Sequence, residues 1–210
     1  MSRFSEKCQA DINWRIDQIA MIKKSTALLS ITNDMREVLR KYSVPAIYAI
    51  WEGFITSIFA EYVKIINREE IPIANIDKRI MTYYSFVTLN LASPPTKQEK
   101  KERFTAKMLE HFSDSVKLSS DIQTTANVDY ESLSAIMYRY GLEPLPEEKY
   151  KSKMCKFLRF RNQIAHGDKA IAVDNDTVLE FSTLVNDLMA DVFISLETAI
   201  STRSYINKTL

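Results

Sequence analysis

Residues 149–166 read KYKSKMCKFLRFRNQIAH. The run follows Pro146, sets Tyr150, Phe157, Leu158 and Phe160 among helix-forming Lys, Met and Arg, and meets Gly167. It therefore predicts a helix from near Glu147 to the region of His166, with Gly167 as its stop. Gly167 is one of only three glycines, with Gly53 and Gly141, in 210 residues, where average usage of about 7% would supply about fifteen. Phosphate-cradling loops, dinucleotide folds and turn-rich sandwiches need glycine for positive φ and close backbone approach, so the chain must be mostly helical.

The helix reading extends outward on both sides. C-terminal to the stretch, Asp174 or Asp176 opens a last helix in which Val178, Phe181, Val185, Leu188, Val192, Leu196 and Ala199 recur every three or four residues. On the N-terminal side, Leu142 to Pro146 is a connection, and Asp129 caps a short helix that stops at Gly141. Ser119 to Val128 is a polar loop, preceded by a charged helix from about Lys97 to Leu118 that turns Phe104, Met108, Leu109 and Phe112 toward the core. Ile76 to Leu91 is a further helix, closed by Ser93-Pro94-Pro95-Thr96, and Ile71-Pro72-Ile73 is a break. Asn33 or Asp34 caps Met35 to Lys41, and Pro45 either kinks that helix or opens a new one running to about Arg68. Ser5 to Leu29 is a long amphipathic helix with Ile12, Ile16, Ile19, Ala20 and Ala27 at helical spacing. No internal repeat is present, and only Ala170 to Val173 has any strand character.

Composition narrows the function classes. Charged residues make 26% and hydrophobic ones 46%, and 28 Lys and Arg against 27 Asp and Glu leave a net charge of +1. This is an ordinary globular composition with room for one core, read as a single domain over 1–210, and any pull on nucleic acid must come from a local patch. Cys8 and Cys155 lie far apart and outside ligand-spaced groups, which suggests a reduced, cytoplasmic protein. With only His111 and His166 available, no metal site and no cofactor is expected. Arg3, Glu6, Lys7 and Asp11 interrupt the N-terminus, so it is not a signal peptide. The apolar stretch Tyr42 to Ala60 contains Pro45, Glu52 and Gly53 and reads as a buried central helix, not a membrane span.

The local patch is residues 149–166 again. Lys149, Lys151, Lys153, Lys156, Arg159 and Arg161 occur there with no acid between them. Either this is a footprint for a phosphate backbone, with Tyr150, Phe157 and Phe160 stacking bases, or the aromatics are core and the cations a solvated face. At its end, Asn162 and His166 stack on one helix face, whereas Arg161 and His166 point about 140° apart, at about 100° per residue. A long guanidinium stem and a helix stop at Gly167 let the two converge. Together they supply a phosphate clamp and a group that exchanges protons near neutral pH. Metal-free RNA cleavage, in which a 2′-hydroxyl attacks its own phosphate and expels a 5′-oxygen, needs both.

Arg161-Asn162-Gln163-Ile164-Ala165-His166 matches the R-x4-6-H motif of the HEPN superfamily, with its favoured Asn after Arg. Tyr48-Ala49-Ile50-Trp51-Glu52-Gly53-Phe54 resembles the Trp-Glu-Gly-Phe helix of stand-alone prokaryotic HEPN-like nucleases of the MAE type. The resemblance covers nearly the whole chain and implies an all-α, HEPN-like helical bundle. It also implies a metal-independent endoribonuclease acting as a homodimer whose paired motifs face one cleft, often a toxin or antiviral effector with an antitoxin or companion defence protein.

Carried onto this chain, the resemblance makes His166 the proton-transfer residue, Arg161 the phosphate clamp and Asn162 the residue that positions phosphate or His166. RNA would be bound by Lys149, Lys153, Lys156 and Arg159. Some HEPN domains only bind partners or nucleotides, which is the alternative function. Glu52 either orients Arg161 or His166 or completes a buried polar network. Asp168 shapes the loop or tunes His166, the turn being favoured. Trp51 and Phe54 are packing residues, and His111 is a packed or rim histidine.

Overall fold

A 36-residue helix, α2 (Asn33–Arg68), forms the axis of the molecule, with three other helices packed along it. A computed structural model describes residues 3–27, 31–92, 95–122, 124, 127–168 and 170–207. Besides α2 it contains α1 (Arg3–Thr26), α3 (Lys78–Thr88), α4 (Gln98–Ser113), α5 (Tyr130–Arg139), α6 (Glu147–Ala165) and α7 (Asn175–Thr202). A single 3-10 turn spans Ile73–Asn75. Among the described residues there is no strand, only two isolated bridges, and residues 171–173 are irregular. The fold is an all-α bundle.

α2 continues through Pro45 where the sequence predicted a kink or a new start. Proline removes one helical hydrogen bond and crowds the preceding turn, at a cost of about 3 kcal/mol. Burial of Val44, Ile47, Tyr48 and Trp51 around it offsets that cost, since each large apolar side chain taken from water contributes about 1.5–3 kcal/mol. The N-cap is Thr32, whose side chain accepts from the Met35 N–H, and not Asn33 or Asp34. α2 is the one helix among the described residues long and apolar enough to cross a membrane, and half of its most apolar window is buried inside the bundle. Trp51, Phe54, Phe59 and Tyr62 along it are fully buried, as expected for a central helix.

The remaining caps follow the sequence closely. Asp129 accepts from the Ser132 N–H at 2.8 Å, and Asp174 from the Thr177 N–H at 2.7 Å. Gly141 and Gly167 take positive φ of 79° and 78° after α5 and α6. All seven apolar positions predicted for the last helix are buried in α7.

α4 departs from expectation. It ends at Ser113, because Asp114 to Leu118 turns back to bond the segment after α2. Ile73 N–H donates to Asp114 at 2.9 Å, Val116 N–H donates to Ile71 at 2.8 Å, and Leu118 N–H reaches the Asn67 side chain. Leu109, predicted for the core, is 71% exposed. The buried position of that turn is His111, which hydrogen-bonds Ser85 and stacks on Tyr84. α3 is likewise shorter than predicted, opening at Asp77 and closing at Leu89. The predicted helix end at Leu29 and the stop at Ser93-Pro94 lie outside the described residues, as do positions 123, 125 and 126 of the predicted polar loop.

Candidate active site

α6 ends in a tight, glycine-terminated turn. The His166 N–H donates to Asn162 at 3.0 Å, the Gly167 N–H to Ile164 at 3.0 Å and the Asp168 N–H to Gln163 at 2.9 Å. The last two bonds are the paired C-terminal bonds that a left-handed glycine permits. His166 is thereby the first residue beyond the helix, and its imidazole is exposed with no hydrogen-bond partner among the described residues. The Asp168 side chain accepts from the Ala170 N–H at 2.8 Å and lies 3.5 Å from the Gln163 amide. Its backbone carbonyl accepts from the Lys41 ammonium, which ties this turn to α2.

Arg161 is held from three directions. Its guanidinium lies 4.7 Å above the Tyr48 ring, and one terminal nitrogen donates to the side-chain oxygens of Asn127 at 3.0 Å and Asn162 at 2.9 Å. The Asn162 bond joins the two directions of the motif, because Asn162 shares its helix face with His166, one turn away. Arg161 and Asn162 are thus brought together directly, and His166 stands at the end of the same face.

The α2 residues beneath them grip the backbone of the neighbouring loop. The Tyr48 hydroxyl accepts from the Val128 N–H at 2.7 Å, and the Trp51 indole donates to the Val128 carbonyl at 3.2 Å. That fixes the segment between Asn127, which holds Arg161, and Asp129, which caps α5. Burial pushes the Tyr48 phenol above its ordinary range, with Glu52 and Asp129 adding to the rise and Arg161 and the Val128 bond opposing it. Glu52 is half-buried and makes no hydrogen bond or ion pair with Arg161 or His166; it acts on Tyr48 through its charge. Gly53 leaves room for Arg15, whose Nη1 would stand 3.2 Å from an added Cβ. Arg15 donates to the Ile50 carbonyl, which ties α1 to α2, and to Asp11 within α1.

Three of the six cations of the basic helix are neutralised within the chain. Lys149 pairs with Asp191 at 2.8 Å, Lys156 with Glu180 at 2.6 Å, and Lys151 with Glu147 and Glu131. Burial pushes Asp191 upward, but its bonds to Lys149 and the Tyr150 hydroxyl outweigh that and hold it below the usual carboxylate range. Lys153 and Arg159 have no carboxylate partner among the described residues. Tyr150 and Phe157 are core residues and offer no free stacking face, and the half-buried Phe160 packs edge-on against Phe181. A cleft of about 260 Å³ opens beside the motif, lined by Asp129, Tyr130, Glu131, Cys155, Arg159 and Asn162 among others. No group of three His, Cys, Asp or Glu within metal-binding reach occurs among the described residues. Tyr48 and Asn127 join the site although the sequence assigns them no role. Tyr48 opens the segment that leads into Trp-Glu-Gly-Phe, three residues before Trp51, whereas Asn127 carries no local signal.

A family model described as RiboL-PSP-HEPN matches residues 10–198. No curated protein and no solved structure matches the chain.

Proposed function

Because the chain belongs to the RiboL-PSP-HEPN family, we propose that it is a metal-independent endoribonuclease with Arg161, Asn162 and His166 at its centre. The observation that carries the reading is an anchored guanidinium and an exposed imidazole, unbonded among the described residues, at one helix end. Arg161 retains donors for a phosphate oxygen, and its fixed position costs no reordering as charge builds on phosphorus. His166 takes the proton from the 2′-hydroxyl as that oxygen bonds to phosphorus. The bond to the 5′-oxygen breaks, and that oxygen receives a proton from the protonated His166 of a second copy across a two-fold axis. The products are a 2′,3′-cyclic phosphate and a 5′-hydroxyl.

Lys153 and Arg159 are the cations best placed to meet the RNA backbone. Lys149 and Lys156 reach it only by exchanging their carboxylates on α7 for phosphate. In biological terms the reading is a toxin or antiviral effector restrained by an antitoxin or companion protein. The test is expression in a bacterial host with RNA end analysis. The native chain arrests growth and leaves cyclic-phosphate ends, while the His166→Ala form does neither. Cleavage that requires Mg²⁺ or leaves a 5′-phosphate contradicts the mechanism. A folded native chain that never cleaves RNA returns the chain to the reading as a non-catalytic binding module.

A further inference from the structure

A second cleft, of about 370 Å³, lies between α3 and α5 at the far end of α5 from the motif, and Lys78, Arg79, Tyr83, Tyr138 and Arg139 line it. Arg79 lies 5.4 Å from the Tyr138 ring centre and is fixed by bonds to Asp77, Glu143 and the carbonyls of Gly141 and Leu142. Tyr138 is nevertheless 57% exposed. Arg139 lies 4.6 Å over the Tyr83 ring. The cleft lining holds no carboxylate, Asp77 and Glu143 beside it are both bonded to Arg79, and Lys78 and Arg139 have no ion-pair partner among the described residues. An exposed tyrosine ring beside a fixed guanidinium, flanked by two cations without carboxylate partners, suits a flat ring that carries a phosphate.

The position of the cleft ties it to the motif. Glu131, Ala135 and Tyr138 form the exposed face of α5 at helical spacing. The cleft beside Asn162 includes Glu131, and the second cleft includes Ala135 and Tyr138. Both therefore lie along one helix face, with Glu131 and Tyr138 seven residues apart, about 10 Å at 1.5 Å per residue.

We propose that the Tyr138 cleft is a nucleotide subsite in which a base stacks on Tyr138 and its phosphate meets Lys78 and Arg139. A single strand of RNA whose scissile phosphate lies at Arg161 reaches it along α5. The inference rests on the reading of the chain as an RNA-directed protein. The same chemistry would also accept a free nucleoside monophosphate.

The experiment measures binding alone, using the full chain and a labelled oligoadenylate of about twelve nucleotides, within the site sizes of single-strand binders. The probe is 2′-O-methylated so that it cannot be cut, and adenosine monophosphate is titrated separately. Tyr138→Ala, at an exposed position, should weaken oligomer binding by about 5-fold to 150-fold, the range for one stacked base, while Tyr138→Phe stays near native. Arg139→Gln should lower the slope of log affinity against log salt by about one, which a merely structural role would not do. If only adenosine monophosphate binding depends on Tyr138, the subsite takes the free nucleotide and the strand path is overturned. If both probes bind Tyr138→Ala within about two-fold of native, or the native chain binds neither, the subsite itself is overturned. Because no cleavage is read, a chain that binds through Tyr138 but never cuts RNA contradicts only the proposed catalysis. One that cuts RNA with binding indifferent to Tyr138 contradicts only the subsite.

Discussion

Tyr48→Phe isolates what the α2 helix does for the motif. The ring remains, so its edge contact with Phe157 at 5.7 Å and its place beneath Arg161 survive. Only the hydroxyl is lost, and with it the 2.7 Å bond that satisfies the Val128 N–H. Tyr48 is 2% exposed, so water does not replace the acceptor, and an unsatisfied buried donor costs about 1–3 kcal/mol. At about 2–4 °C per kcal/mol for a chain of this size, the melting temperature should fall by about 4–8 °C for a loss near 2 kcal/mol. The Trp51 indole still holds the Val128 carbonyl, so the fold persists while the segment that carries Asn127 loosens. RNA cleavage should drop with it, by less than the loss from removing His166. The assay is a thermal melt followed by circular dichroism at neutral pH, paired with cleavage of a labelled RNA. A Tyr48→Phe protein that melts within about 1 °C of native would refute the claim that this hydroxyl anchors the loop.

Other outcomes follow from the same physics. Gly141→Ala should destabilise more than Gly167→Ala: both force an L side chain into positive φ at about 1–2 kcal/mol, but at Gly141 the new Cβ also meets Ile80 at 3.2 Å, whereas at Gly167 it meets nothing within 4 Å. Chemical denaturation of the two variants ranks them, and the reverse order refutes the packing argument. Burial pushes Cys8, Tyr140, Tyr150 and Tyr205 up to about 12. The unfolded chain then releases these protons at lower pH than the folded one, so stability should be complete below pH about 9 and fall progressively toward about 12. A flat denaturation midpoint across that window contradicts it. Asp191, held low by Lys149 and Tyr150, contributes stability that is lost as pH falls through its depressed value, and Asp191→Asn should remove that part of the acid sensitivity. A mixed dimer of one native and one Arg161→Ala/His166→Ala chain should keep far less than half of the homodimer's activity if the cleft is shared, and about half if each chain works alone.

What was legible in the sequence was local. Asp129, Asp174, Gly141 and Gly167 mark helix ends through bonds to residues two to five positions away, and the α7 stripe repeats with the helix period. The motif was legible for the same reason, since Arg161, Asn162 and His166 lie within two turns of α6. What was hidden depends on residues distant in sequence. Asn127 reaches Arg161 across 34 positions, Tyr48 reaches Val128 across 80, and Asp191 and Glu180 cross 42 and 24 to neutralise Lys149 and Lys156. The six uninterrupted cations therefore overstated the free positive charge, because the neutralising acids come mostly from other helices. Leu109 was misplaced for a related reason: α4 is cut short when Asp114 to Leu118 pairs with the segment after α2, and His111 takes the inward position.

The central claim is that the helix end carrying Arg161 and His166, paired with that of a second copy, cuts RNA by moving protons and holding phosphate. The most direct measurement is cleavage of a defined RNA in EDTA by the native, His166→Ala and Arg161→Ala proteins, with each fold checked by its melting curve. The account predicts metal-free cleavage to 2′,3′-cyclic phosphate and 5′-hydroxyl ends, and a loss of at least about 10²-fold in each variant, the lower end of what a general acid or base contributes. A folded His166→Ala protein that cleaves at a near-native rate would contradict it.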